Sequence, residues 1–115
     1  MRINKYGNKK TKVDGHTFDS KAEARRYGEL KLMQRAGLIK HLKLQPRYRL
    51  QDGFSNGEGK RVRPISYVAD FEYIDLQKND VVIEDVKGKK TQVYNLKKKI
   101  FEKKYHPRVI TEITY

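Results

Sequence analysis

The 115 residues predict a single-domain α/β fold, a mixed β-sheet in the order αβββαβ. Three observations point to it. A capping signal opens a helix at Ser20, three β-patterned segments follow between His41 and Lys87, and a second amphipathic helix gives way at His106-Pro107 to a last stretch rich in Val, Ile and Thr. A chain of this length buries only roughly 60–70% of its unfolded surface, so any active site must share the one core.

Residues 1–12 are polar and rich in Lys and read as a flexible basic arm ahead of a domain spanning 13–115. Val13-Asp14-Gly15-His16 carries an Asp-Gly hairpin turn. In Ser20-Lys21-Ala22-Glu23 the serine hydroxyl and the glutamate three residues on form a capping box, and the helix should run to about Ala36 and stop at Gly37. From His41 to Leu50 apolar and basic residues alternate, the pattern of a half-buried strand with a basic outer face; Pro46 places it at an edge or on a bulge. Residues 51–63, with three Gly plus Asn, Ser and Asp, read as a mobile loop able to close over a ligand. Strands over 65–74 and 81–87 flank a polar turn and form an antiparallel hairpin. Over 91–105, Val93, Leu96 and Ile100 recur at helical spacing, with Tyr94 and Phe101 beside them and lysines filling much of the remainder.

With 27 Lys and Arg against 14 Asp and Glu, the formal net charge is +13. That excess predicts a polyanionic partner, and nucleic acid fits better than a membrane surface because no helix has an inserting pattern. The absence of Cys excludes disulfide scaffolds, thiol nucleophiles and Cys-ligated zinc. No apolar run reaches the roughly 18 residues of a membrane span, and residues 1–12 lack the apolar core of a secretory signal, so a soluble cytoplasmic protein is expected.

The acids are the informative feature. With the hairpin turn centred in 75–80, Glu72 faces Ile83 and Asp70 faces Asp85. Directly opposed like charges destabilise a sheet, so stability alone would not select that pair. Strand alternation puts Asp70, Asp85 and Lys87 on one face, at the margin of apolar packing. A hard divalent cation such as Mg²⁺ would turn the two repelling anions into ligands. Glu23 lies on the inward stripe of the first helix together with Tyr27, Leu30 and Gln34, whereas Arg25, Arg26 and Glu29 point elsewhere; its blander role is to complete the capping box.

Asp70, a gap, and then Asp85-Val86-Lys87 on the next strand resemble the PD-(D/E)XK nuclease superfamily, whose restriction-endonuclease-like core has the element order read above. Within it, Ser20-Lys21-Ala22-Glu23, Tyr67-Val68-Ala69-Asp70-Phe71 and Glu84-Asp85-Val86-Lys87-Gly88 look like a small phage-type endonuclease and Holliday junction resolvase-like family. Ala69 replaces the proline of the superfamily name. The resemblance implies that Asp70, Asp85 and the Val86 carbonyl bind Mg²⁺, with Mn²⁺ able to substitute, that Glu23 binds metal directly or through water, and that Lys87 orients the attacking water. Glu84 is the alternative to Asp85 as second acid; pleat geometry favours Asp85. The expected activity is Mg²⁺-dependent hydrolysis of DNA, branched DNA such as Holliday junctions in particular, by a homodimer. Arg47, Arg49, Lys89, Lys90, Lys97, Lys98 and Lys103 are expected to contact phosphate. The rival readings are a non-catalytic basic DNA- or RNA-binding module and a subunit of a larger nuclease complex. His16, His41 and His106 have no metal-ligand spacing, and Tyr48, Tyr67 and Tyr73 read as core.

Overall fold

Two long strands read as continuous from the sequence are each creased in the middle, and the shared crease organises the molecule. The structure, a computed structural model, describes residues 10–115. It begins with the expected hairpin, β1 (Thr11–Val13) and β2 (His16–Phe18), turned by Asp14 and Gly15 at φ 51° and 79°. Residues 1–9 of the expected arm lie outside the described residues, and Thr11 and Lys12 of that arm form part of β1. Helix α1 (Lys21–Arg35) starts where predicted: the Ser20 hydroxyl accepts the Glu23 N–H at 3.1 Å. It ends at Ala36, with Gly37 at φ 77° taking the left-handed step that a side chain would resist.

The strand expected over 41–50 is two strands, β3 (Ile39–Leu44) and β4 (Arg47–Gln51). Pro46 has no N–H and Gln45 sits at φ 50°, so the ladder is interrupted there. The segment read as a mobile loop carries a small hairpin, β5 (Phe54–Ser55) and β6 (Arg61–Val62), whose turn is held by the Asn56 side chain accepting the N–H groups of Glu58 at 2.9 Å and Lys60 at 3.0 Å. The strand expected over 65–74 is likewise two, β7 (Ile65–Val68) and β8 (Phe71–Asp75). The two interruptions face each other: Gln45 donates to the Asp70 carbonyl at 2.9 Å and Ala69 to the Pro46 carbonyl at 3.1 Å. One antiparallel pair is therefore folded over, with β3 on β8 in the main sheet and β4 on β7 in a separate ribbon.

β8 pairs with β9 (Asp80–Val86) in the predicted register, Glu72 opposite Ile83 and Ile74 opposite Val81. Helix α2 (Gln92–Lys104), capped by the Thr91 hydroxyl at 3.1 Å from the Tyr94 nitrogen, carries the chain across to β10 (Ile110–Ile113), which runs parallel to β9. The result is an α/β domain with a mixed four-stranded sheet, β10-β9-β8-β3, and two helices. The element order of this sheet and its helices is α1, β3, β8, β9, α2, β10.

Phe18, Ala24, Tyr27, Leu30, Phe71 and Tyr73 form the core that includes α1; Tyr48, Tyr67, Ile83, Tyr94, Phe101 and Ile110 form the one that includes α2. The predicted inward face of α1 is correct at Tyr27 and Leu30, but on α2 the stripe of Val93, Leu96 and Ile100 faces outward and Tyr94 and Phe101 are buried. Large rings fill the space over the creased ribbon: Phe101 meets Tyr48 with ring centres 5.0 Å apart and Tyr67 at 5.7 Å. Among the described residues, no helix is long and apolar enough to cross a membrane.

Candidate functional site

Period-two alternation on β9 sends adjacent acids to opposite faces of the sheet, and the two faces treat them differently. Glu84, 1% exposed, is gripped by Arg26: Nε to Oε1 at 2.8 Å and Nη2 to Oε2 at 2.6 Å, with the Tyr73 hydroxyl donating to Oε2 at 2.5 Å. A bidentate guanidinium and a phenol leave this carboxylate satisfied, a structural ion pair between α1 and the sheet. Arg26, expected to point away, therefore reaches inward.

Asp85, 4% exposed, faces the other way. Its Oδ1 lies 2.8 Å from Lys87 Nζ, and its Oδ2 accepts the hydroxyl of buried Tyr67. Asp70 sits on the crease just before β8. Its N–H donates to the Glu84 carbonyl at 3.0 Å and its Oδ2 accepts the Val86 N–H at 2.6 Å, which draws the carboxylate to the end of β9. Asp85 and Glu23 lie close enough to Asp70 for each of their charges to act on its carboxyl. Half of the capping box is present: Ser20 accepts the Glu23 N–H, while the Glu23 carboxylate stands with Asp70. The four residues singled out in the sequence thus meet at one end of the sheet.

Burial, followed by the charges of Asp85 and Glu23, pushes the Asp70 carboxyl up to about 8. Burial, then Asp19 and Asp85, raises Glu23 as well, against a smaller opposing pull from Asp70 and Lys87. Burial and the Asp85 carboxylate move the Tyr67 phenol up, so it remains a donor. The donor atoms are all oxygen, the set that Mg²⁺ prefers, and their crowded negative charge suits a cation. They do not form a ready-made cage: among the described residues no three His or acidic side chains are arranged to hold a metal ion, and both Asp85 oxygens are engaged, one by Lys87 and one by Tyr67.

Lys87 is steadied from its other side. Its Nζ stands 3.8 Å from the centre of the Tyr94 ring, a cation–π contact, and Tyr94 in turn donates to Glu112 at 2.8 Å, which also pairs with Lys90 at 2.9 Å. Tyr94 and Glu112 lie in no motif, and Tyr67, although it opens the Tyr67–Phe71 segment, reads from the sequence only as core. Parallel pairing sets Glu112 beside Asp85, which is apparent only once β10 is placed against β9.

The residues expected to contact phosphate separate into groups. Lys97 donates to the Ser66 carbonyl at 2.8 Å, Lys98 pairs with Glu102 at 3.5 Å, and Arg49 pairs with Asp52 at 3.1 Å. Arg47, Lys89 and Lys103 are exposed and pair with no acid among the described residues. Lys89 and Lys90 are on the loop leaving the acid cluster, and Lys103 is in the last turn of α2.

No curated protein and no solved structure matches the chain. A family model described as "Protein of unknown function (DUF1064)" matches residues 3–114, so the chain belongs to the DUF1064 family.

Proposed function

We propose that the protein is a Mg²⁺-dependent DNA endonuclease with a restriction-endonuclease-like core of the PD-(D/E)XK kind. The observation that carries this reading is the convergence of Glu23, Asp70, Asp85 and Lys87 at one end of the sheet, from a helix, a crease and a strand end far apart in sequence. Asp70, Asp85 and Glu23, with the Val86 carbonyl, would hold the ion. Bound there it supplies Lewis acidity to a phosphoryl oxygen and a lowered pKa to water. Lys87, held between Asp85 and the Tyr94 ring, orients the attacking water and offsets charge growing on the phosphoryl oxygens. Tyr67 keeps the Asp85 carboxylate turned to the cluster. Lys89, Lys90, Lys98 and Lys103 supply phosphate contacts that fix position without reading sequence.

The substrate we propose is branched DNA, cut by a homodimer with two sites related by a two-fold axis. The test is incubation of labelled duplex, flap and four-way junction DNA with Mg²⁺, Mn²⁺ or EDTA. The expected result is metal-dependent incision, strongest on the junction. Equal binding to all three without incision would favour the second reading, a non-catalytic basic module or complex subunit, which the engagement of both Asp85 oxygens by Lys87 and Tyr67 already favours.

A further inference from the structure

Helix α2 carries two apolar stripes and the fold uses one. Tyr94 and Phe101 are buried against the ribbon, whereas Val93, Leu96 and Ile100, three and four residues apart, are 63%, 61% and 37% exposed. With Ile65 and Pro64 they floor a groove of about 690 Å³ between the helix and the β4–β7 ribbon. Its rim is cationic: Arg47, Arg49, Arg63 and Lys97 border it, and none of its lining residues is acidic. Arg49 is partly answered by Asp52 and Lys97 is directed to a carbonyl, but Arg47 and Arg63 pair with no acid among the described residues.

An aliphatic floor gains nothing from a sugar-phosphate backbone, which has no side chains to bury there, and a cationic rim selects against apolar partners without acids. A second copy of this chain, with a net charge of +13, would set the same cations face to face across a two-fold axis. The residues preceding the described chain, 1–9, hold Arg2, Lys5 and Lys9 and no acid, so they do not complement the rim either. We propose that this groove docks an acidic amphipathic helix of a partner protein, its apolar side chains seated on Val93, Leu96 and Ile100 and its carboxylates turned to Arg47 and Arg63. The assignment is independent of the nuclease reading, and it turns Arg47, Arg49 and Lys97 from phosphate towards a protein.

The experiment uses the full chain and a fluorescein-labelled 16-residue peptide with Leu at three- and four-residue spacing on one face and Glu on the other, read by anisotropy. The control peptide has the same composition in shuffled order. The amphipathic peptide should bind at least about tenfold more tightly than the shuffled one, and Leu96→Ser, which touches only an exposed position, should cost on the order of tenfold. Arg47→Ala with Arg63→Ala should weaken binding and flatten its salt dependence, while duplex DNA affinity is unchanged by Leu96→Ser. Equal binding of the two peptides would reduce the effect to bulk charge and overturn the proposal. So would a loss of DNA affinity in Leu96→Ser, or self-association in sedimentation that this substitution abolishes.

Discussion

Replacing Asp70 by Asn should stabilise the metal-free protein, and the gain should grow with pH. The Asp70 carboxyl is moved from the ordinary 3.8 to about 8 by burial and by the neighbouring Asp85 and Glu23. Below the unfolded value both states are protonated and the residue is neutral towards stability. Between the two values the folded chain keeps a proton that the unfolded chain gives up, so stability falls as pH rises, by up to about 1.4 kcal/mol per pH unit for this one group. Above about 8 both states are ionised and the penalty is complete. The full shift sets a ceiling of about 6 kcal/mol; water at the rim and rearrangement of the acids reduce the expected gain to roughly 2 kcal/mol, about 5–10 °C in Tm. Asparagine still accepts the Val86 N–H through its side-chain oxygen, so the strand end should keep its geometry. Urea denaturation in EDTA at pH 5, 7 and 9 measures the difference, which should be small at pH 5 and largest at pH 9. Added Mg²⁺ should stabilise the wild type at pH 8 and leave Asp70→Asn unmoved. A loss of stability of similar size at every pH would mean that Asp70 is an ordinary satisfied acid, and the electrostatic case for a cation site would fail.

Arg26→Met strands the Glu84 carboxylate and should cost about 3–5 kcal/mol by denaturation, while Glu84→Gln should leave any Mg²⁺-dependent stabilisation intact; loss of that stabilisation would make Glu84 the metal-binding acid. Lys87→Ala should lower DNA cleavage at least about 100-fold with little change in affinity, and an affinity loss alone would remove its chemical role. Tyr94→Phe should retain most cleavage because the ring stays under the ammonium, whereas Tyr94→Leu should reduce kcat more than it raises KM; equal losses in the two variants would indicate packing alone. Substituting Lys89 and Lys103 with Ala should flatten the salt dependence of DNA binding by about two phosphate contacts, and an unchanged slope would place the nucleic acid elsewhere.

Local rules made much of this molecule legible. Hydroxyl caps fixed the start of α1, and the polar turn after Asp75 fixed the β8–β9 register, which in turn predicted that Asp70 and Asp85 meet. Pro46 marked an edge or bulge in the first strand, but nothing marked the matching break at Ala69-Asp70, and only the opposed hydrogen bonds show that both strands turn together. The buried face of α2 was misjudged because helical spacing fits Val93, Leu96 and Ile100 as well as it fits Tyr94 and Phe101, and ring volume decided between them. Arg26–Glu84 was missed because an arginine beside a surface glutamate has a local partner, and indeed Arg26 also meets Glu29 at 3.0 Å. The Tyr73–Glu84 contact was recoverable, since the predicted register makes the two diagonal neighbours on one face.

The fold line shared by the two long strands has a geometric consequence. Tyr67 and Asp70 are three positions apart, yet they bring a hydroxyl and a carboxylate to one spot from either side of the bend. Ser66, the residue before Tyr67, forms part of the outer groove wall and is tethered there by Lys97. Neighbouring positions of one short strand thus serve two sites, Ser66 the groove through its carbonyl and Tyr67 the acid cluster through its hydroxyl.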